Sequence, residues 1–342
     1  MKALVKVRPG EGGVALEDVP EPSPKYNEIK IKVHATGICG TDMHIFKDEY
    51  PSKYPVTLGH EYSGTVIEIG RDVKKFSVGD SVISLTAVEY CGQCDYCSQG
   101  LLMLCENRLS IGSGVNGAFA EYLVVPEHLA FIVPENVSLD EAALSEPLAC
   151  VVRSVIEMSK IKAGDYVFVS GPGTIGQLTM QVAKACGAKV VAAGTNLDIE
   201  RLKLAEETGA YAVINVSEED VKERSKELTF GEGYDIAYEC SGAEPSAQTC
   251  LEVLKKTGQY VQVGLYGKKI LFDHDLALTK EIHMVNSYAS ERTSWKRAIR
   301  LMRNEQLNLK PLISTKLPIE EWEQGFNKAF NKEGFKIFLT TN

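Results

Sequence analysis

Six residues constrain this chain more than any others: Gly171-Pro172-Gly173-Thr174-Ile175-Gly176. They follow at once on Tyr166-Val167-Phe168-Val169-Ser170, an apolar run with the length and composition of a buried strand. The run from Gln177 to Cys186 reads as a helix. A lone G-x-G-x-x-G says little, but a strand before it and a helix after it are the context in which it cradles a dinucleotide. Gly171 makes the tight turn, Gly173 admits the pyrophosphate, and Gly176 lets helix and strand pack closely. Thr174 and Ile175 complete the glycine loop, and the positive N-terminus of the helix that follows meets the phosphates. Further strands are expected at 189–193, 212–214, 234–239 and 260–264. Gly187 and Gly209 stand where helices should end. The alternation predicts an α/β domain with a doubly wound, mostly parallel sheet over residues 151–288. The plain alternative is an α/β domain that binds no dinucleotide.

The first 150 residues have another texture. Residues 1–7, 28–33, 65–69 and 80–83 read as short strands, which suggests a β-rich, barrel-like domain. A chain of 342 residues that is 44% hydrophobic can bury the cores of two domains. Within this region Cys39-Gly40-Thr41-Asp42-Met43-His44 is followed by Gly59-His60-Glu61. Thiolate, imidazole and carboxylate are the ligands zinc accepts, and a catalytic zinc takes three of them and keeps one position open. Cys39, His60 and one carboxylate make such a set; the alternative is a buried Cys and His with no metal between them. Cys91, Cys94, Cys97 and Cys105 make a second set. Four thiolates at that spacing converge on one tetrahedral ion with no open position, so this site shapes its loop and does no chemistry. The clustering of the nine cysteines, and a start without a secretory signal, argue for metal in a reducing compartment rather than disulfides. The net charge of -9 argues against nucleic acid, and no apolar run is long enough to span a membrane.

Gly59-His60-Glu61-Tyr62-Ser63-Gly64, with Gly70 and Val73 beyond it, resembles the zinc signature of the medium-chain dehydrogenase/reductase family. Cys39-Gly40-Thr41-Asp42 resembles the first ligand motif of that family. The four cysteines resemble its structural-zinc lobe, and the stretch from Gly117 to Pro126 is also similar. The resemblance covers nearly the whole chain. It implies a Rossmann domain over 151–288 and a GroES-like catalytic domain formed by 1–150 and 289–342. In the polyol branch of the family, the motif matching Glu146-Pro147 supplies a carboxylate to the catalytic zinc. By resemblance Glu146 therefore joins Cys39, His60 and Glu61; which glutamate ligates directly and which acts through water stays open. Asp42 is a candidate partner for the second nitrogen of a metal-bound His. Thr41 matches a proton-relaying hydroxyl, and His44 matches the group that passes the proton to solvent, unless it is a plain surface histidine. Trp295 and Trp322 read as packing residues.

The implied activity is reversible oxidation of a secondary alcohol to a ketone, with hydride transfer to NAD(H) or NADP(H) and two zinc ions per subunit. The expected protein is cytoplasmic, a homo-tetramer or homo-dimer, acting on a small molecule. The substrate stays open among a polyol, a sugar phosphate, a bulkier secondary alcohol and, as in threonine dehydrogenases, an amino alcohol. The Arg-Tyr pair of the polyol branch has no clear match in Asn286-Ser287-Tyr288-Ala289-Ser290-Glu291-Arg292. A non-catalytic dinucleotide-binding protein would have shed zinc ligands, and a zinc-independent quinone reductase would lack Cys39 and the four-cysteine lobe. For the cofactor, the usual ribose-binding carboxylate is replaced by Asn196, which does not repel a 2′-phosphate. Thr195 adds a donor, Arg201 lies farther on in the helix, and Asp198 can restore preference for NAD. The balance leans to NADP or dual use.

Overall fold

The computed structural model describes residues 1–341. The chain forms two compact units. One comprises Met1–Glu146, Glu291–Arg303 and the C-terminal segment from Leu312; the other comprises Pro147–Ser290 and Asn304–Pro311. Among the described residues no helix is long and apolar enough to cross a membrane.

The second unit is built on six parallel strands. Their order is Ala212–Asn215, Lys189–Gly194, Tyr166–Ser170, Tyr234–Glu239, Leu254–Gln262, His283–Asn286. The order reverses beside Tyr166–Ser170, which is the switch point where such sheets bind ligands. Phe168, Val191, Ile214, Tyr234 and Tyr260 pack its core. The first helix, Thr174–Ala185, starts three residues earlier than its apolar run suggested, so Gly173 is its N-cap and the glycine loop feeds directly into it. Gly187 (φ +89°) and Gly209 (φ +94°) follow the caps of their helices in the left-handed region, as expected of C′ glycines. The strand expected at 260–264 instead runs over Leu254–Gln262. Its polar first half, with Thr257 at φ +62°, passes through an irregularity in the pairing with Tyr234–Glu239.

The first unit is centred on the strand Glu28–Gly37. Glu61–Ile69 pairs on one side of it and Lys336–Thr340 and Tyr122–Pro126 also pair with it, all antiparallel. Ser81–Ser84, Ala130–Ile132 and Ile313–Pro318 complete the sheet. The alternating residues Ile29, Ile31 and Val33 bury one face against Tyr62, Val66, Val82 and Leu123. A second cluster gathers Leu4, Ile45, Leu58, Phe119, Phe326 and Ile337. Trp295 is buried and stacks on Phe131 with ring centroids 5.9 Å apart. Trp322 packs against Phe326. The segment from Leu139 to Val152 forms two helices, Leu139–Ala142 and Ser145–Val152. Pro147 has no N–H to offer the carbonyl of Ala143 and its ring crowds that carbonyl, so the chain breaks and restarts with proline in the first turn.

Candidate active site

Strand register assembles the first metal-type cluster. Gly37 is paired with Glu61 across the sheet, and Phe338 lies opposite Gly37 on the other side. Two residues beyond Gly37 the chain reaches Cys39, and immediately before Glu61 it passes His60. The donor atoms of Cys39, His60 and Glu61 therefore converge, all within 4.8 Å of one another. Gly59 holds φ +87° where a side chain would strike Phe119, and this turn delivers His60 to the cluster.

Cys39 also starts the helix Gly40–Phe46, and its backbone N–H donates to Asp42 Oδ2 at 2.9 Å. The other carboxylate oxygen, Oδ1, lies 3.6 Å from His60 Nδ1 and has no hydrogen-bond partner among the described residues. Asp42 is fully buried, so this oxygen has no water to turn to. It lies on the Nδ1 side of the ring, where a modest shift would let it accept from Nδ1–H and leave Nε2 for a metal. Burial opposes a charged His60, yet Asp42 and Cys39 outweigh it and hold the imidazole well above its usual range. Burial, then the Glu61 carboxylate, push the Cys39 thiol up. A divalent cation among these groups removes both conflicts, which is how the donor set fits zinc.

The structure adds a residue that the sequence motifs do not contain. Lys336 Nζ donates to Glu61 Oε2 at 2.6 Å and to the carbonyl of Ile38 at 3.1 Å. The pair is almost fully buried, with side chains 6% and 2% exposed. Burial disfavours the charged amine, but Glu61 and Cys39 more than compensate, and Lys336 is raised above the usual lysine range. Glu61 and Lys336 come from the two strands flanking Gly37 and meet over it. A Cβ on Gly37 would lie 2.4 Å from Glu61 Oε2 and 3.0 Å from Lys336 Cδ. The only local hint was a lysine opening the apolar run Ile337-Phe338-Leu339.

Glu146 occupies the first turn of Ser145–Val152 and acts electrostatically on Lys336, but it is not among the three residues whose donor atoms converge. Thr41 and His44 lie three residues apart on Gly40–Phe46, hence on neighbouring positions of one helix face. His44 Nδ1 faces Glu49 Oε2 at 2.7 Å.

The second cluster is Cys91, Cys94, Cys97 and Cys105, all free thiols with sulfurs within 4.8 Å of one another. Cys91 Sγ is 3.9 Å from Cys97 Sγ and 3.7 Å from Cys105 Sγ. Tetrahedral zinc with bonds of about 2.3 Å needs sulfurs about 3.8 Å apart. Backbone N–H groups of Gln93 and Cys94 pull the Cys91 thiol down to about 6, while burial pushes Cys97 up to about 12.

In the second unit the three glycines differ in their surroundings. A Cβ on Gly171 would strike Ser241, and one on Gly176 would strike the carbonyl of Gly171 at 2.0 Å. A Cβ on Gly173 would meet nothing within 4 Å. Two glycines thus serve packing and the middle one faces open space, as a pyrophosphate cradle requires. Thr195 and Asn196 follow the strand Lys189–Gly194 and are exposed. The hydroxyl and N–H of Thr195 both donate to Asp198 Oδ2, and Asp198 Oδ1 pairs with Arg201 at 3.0 Å. The donor expected of Thr195 is therefore engaged, and Asp198 is tethered rather than free to swing. Asn196 Oδ1 accepts from Asn215 Nδ2 at 2.6 Å.

Comparison with known proteins agrees with this geometry. Residues 25–135 match the alcohol dehydrogenase GroES-like domain, and residues 174–304 match the zinc-binding dehydrogenase model. The chain is 41% identical over 341 residues to a sorbitol dehydrogenase of Halalkalibacterium halodurans, covering 99% of each. It is 37% identical over 344 residues to a D-arabitol-phosphate dehydrogenase of Enterococcus avium, covering 100% of this chain and 98% of that one. A solved chain from Sinorhizobium meliloti 1021, bound to NADP, superposes with a TM-score of 0.92 at 31% identity, over 99% of this chain and 98% of that one. With a parallel Rossmann sheet, a GroES-like unit and zinc-type donors in both expected places, the chain belongs to the zinc-dependent medium-chain dehydrogenase/reductase family.

Proposed function

We propose that the protein is a zinc-dependent, polyol-type dehydrogenase that interconverts a secondary alcohol and a ketone with NAD(P). The observation that carries this reading is the convergence of Cys39, His60 and Glu61 beside the buried partners Asp42 and Lys336. Three donors leave an ion one open position, which suits catalysis rather than structure. Zinc supplies the electrostatic pull on the substrate hydroxyl, and the nicotinamide accepts the hydride. Cys39, His60 and Glu61 hold the metal, and Glu146 acts on it from a greater distance. Thr41 takes the hydroxyl proton, and His44 passes it to water. Cys91, Cys94, Cys97 and Cys105 hold the second ion and maintain their loop. Residues 1–150 with 289–342 act as the catalytic domain, and 151–288 as the dinucleotide domain.

Gly171, Gly173, Thr174, Ile175 and Gly176 receive the pyrophosphate, and Thr195, Asn196 and Arg201 border the adenosine ribose. An amide at Asn196 favours NADP or dual use, whereas the tethered Asp198 keeps one carboxylate nearby. The polyol reading is favoured over an amino alcohol by the sorbitol and arabitol-phosphate relatives. Nine cysteines, none in a disulfide among the described residues, support a reducing, cytoplasmic setting. A homo-dimer or homo-tetramer is supported by the edge strand His283–Asn286, which has one sheet neighbour and carries the exposed Met284.

Zinc analysis tests the assignment. Wild type should carry about two ions per subunit. Cys39→Ser should lose one ion and its turnover while keeping its fold, and Cys97→Ser should lose the other and much of its stability. A Cys39→Ser enzyme with near-normal activity would overturn the reading.

A further inference from the structure

The helix Gly40–Phe46 ends in a turn that folds the chain back on itself. Asp48 adopts φ +63°, a conformation that residues other than glycine rarely take. The turn brings the Glu49 N–H back to the carbonyl of His44 at 2.8 Å. The same residue places its carboxylate Oε2 2.7 Å from His44 Nδ1. A fully buried lysine holds the turn from below. Lys6 Nζ donates to the carbonyls of Gly10 at 2.7 Å and Phe46 at 3.4 Å, and lies 3.8 Å from Asp48 Oδ1. Tyr54 donates to the same Asp48 oxygen at 2.8 Å. A solvent-exposed ion pair contributes little to stability. A pair held by a left-handed residue and a buried amine is built for position.

We infer that Glu49 is a positioning residue for the proton relay, fixing the tautomer of His44; the inference rests on the relay role proposed for His44. An ionised carboxylate only accepts hydrogen bonds, so the ring must carry its proton on Nδ1. The neutral imidazole then presents the lone pair of Nε2, where a neutral histidine in water mostly carries hydrogen. Nε2 takes the proton that Thr41 hands on from the substrate hydroxyl, and the imidazolium that forms sits beside the Glu49 carboxylate. It then gives the proton to bulk water from Nε2 and returns to the same tautomer. Glu49 only accepts, and no proton passes to it. The hydride leaves separately for the nicotinamide, so the alcohol loses one proton and one hydride and becomes the ketone.

The test uses zinc-loaded enzyme labelled with ¹⁵N-histidine, His44 being assigned by comparison with His44→Asn among the six histidines. Ring nitrogen shifts report the tautomer without any turnover. Wild type should show Nδ1–H, and Glu49→Ala should revert towards Nε2–H. Glu49→Gln, whose amide oxygen still accepts, should keep Nδ1–H. With 2,3-butanediol or sorbitol as the alcohol, Glu49→Ala should lower kcat by roughly three- to tenfold with KM for the nicotinamide unchanged. Glu49→Gln should retain most of kcat. Added imidazole should restore activity to His44→Ala. If His44→Ala is slow and rescued by imidazole while Glu49→Ala keeps both the wild-type tautomer and kcat, the positioning role is wrong and the relay stands. If His44→Ala turns over like wild type, the relay reading fails and the role of Glu49 falls with it.

Discussion

Replacing Lys336 with methionine separates the charge balance of the zinc site from its shape. Methionine keeps most of the volume and removes the amine, so Glu61 is left as a buried carboxylate with its nearest cation gone. Both side chains are almost inaccessible, and their N···O distance is 2.6 Å. Removing one partner of such a pair costs about 3–5 kcal/mol, because the surviving charge stays buried. A domain typically has about 5–15 kcal/mol in hand, so the zinc-free variant should unfold at a markedly lower urea concentration. With zinc bound, the metal faces Glu61 in place of the amine. If it recovers about 2 kcal/mol of the loss, zinc should bind the variant roughly thirtyfold more tightly. The assay is chelator competition for the catalytic ion in wild type and Lys336→Met, with the four-cysteine ion as internal reference. Urea unfolding is then measured with and without the catalytic ion. Equal stability without zinc would show that the pair does not neutralise a buried charge. Weaker zinc binding in the variant would show that Lys336 supports the metal rather than competing with it for Glu61.

Three further outcomes are expected. Gly37→Ala forces a methyl group against Glu61 Oε2 and Lys336 Cδ. It should cost about 1–3 kcal/mol and weaken the catalytic zinc while leaving the other ion in place; unchanged metal content and stability would refute the close approach. Catalytic-zinc affinity should rise with pH, because His60 and Cys39 are both held above their usual ranges and must give up protons to the metal. The slope should be roughly tenfold per pH unit for each proton released, and a flat profile would contradict the protonated metal-free cluster. Asn196→Asp should depress kcat/KM with NADP relative to NAD by roughly tenfold or more, since ~1.4 kcal/mol of repulsion suffices; an unchanged ratio would place residue 196 away from the ribose.

Features whose partners lie close along the chain were open to direct reading. The glycine loop joins a strand to the helix it starts, so its three glycines, their spacing and their context sit in one short stretch. The four cysteines share a single loop, and their spacing alone brings the sulfurs together. Cys39 and His60 were recognisable by ligand type and by their surrounding glycines, while the carboxylate beside them stayed open between Glu61 and Glu146.

What depended on the tertiary structure is a matter of long-range register. Lys336 is 275 positions from Glu61, and no local pattern joins them. They meet because their strands flank Glu28–Gly37 and because Gly37 leaves a gap between them. Lys6 lies in a strand that alternates as if half-exposed, yet it is fully buried, its amine drawn to the carbonyl ending another element. Glu61 and Glu146 are equivalent as residue types; only the sheet brings Glu61 to within ligand distance of Cys39 and His60. Composition and spacing decide which groups a chain carries. Which of them share a low-dielectric interior, and so must neutralise one another, is decided when distant strands pair, because a charge finds its partner through space and not along the chain.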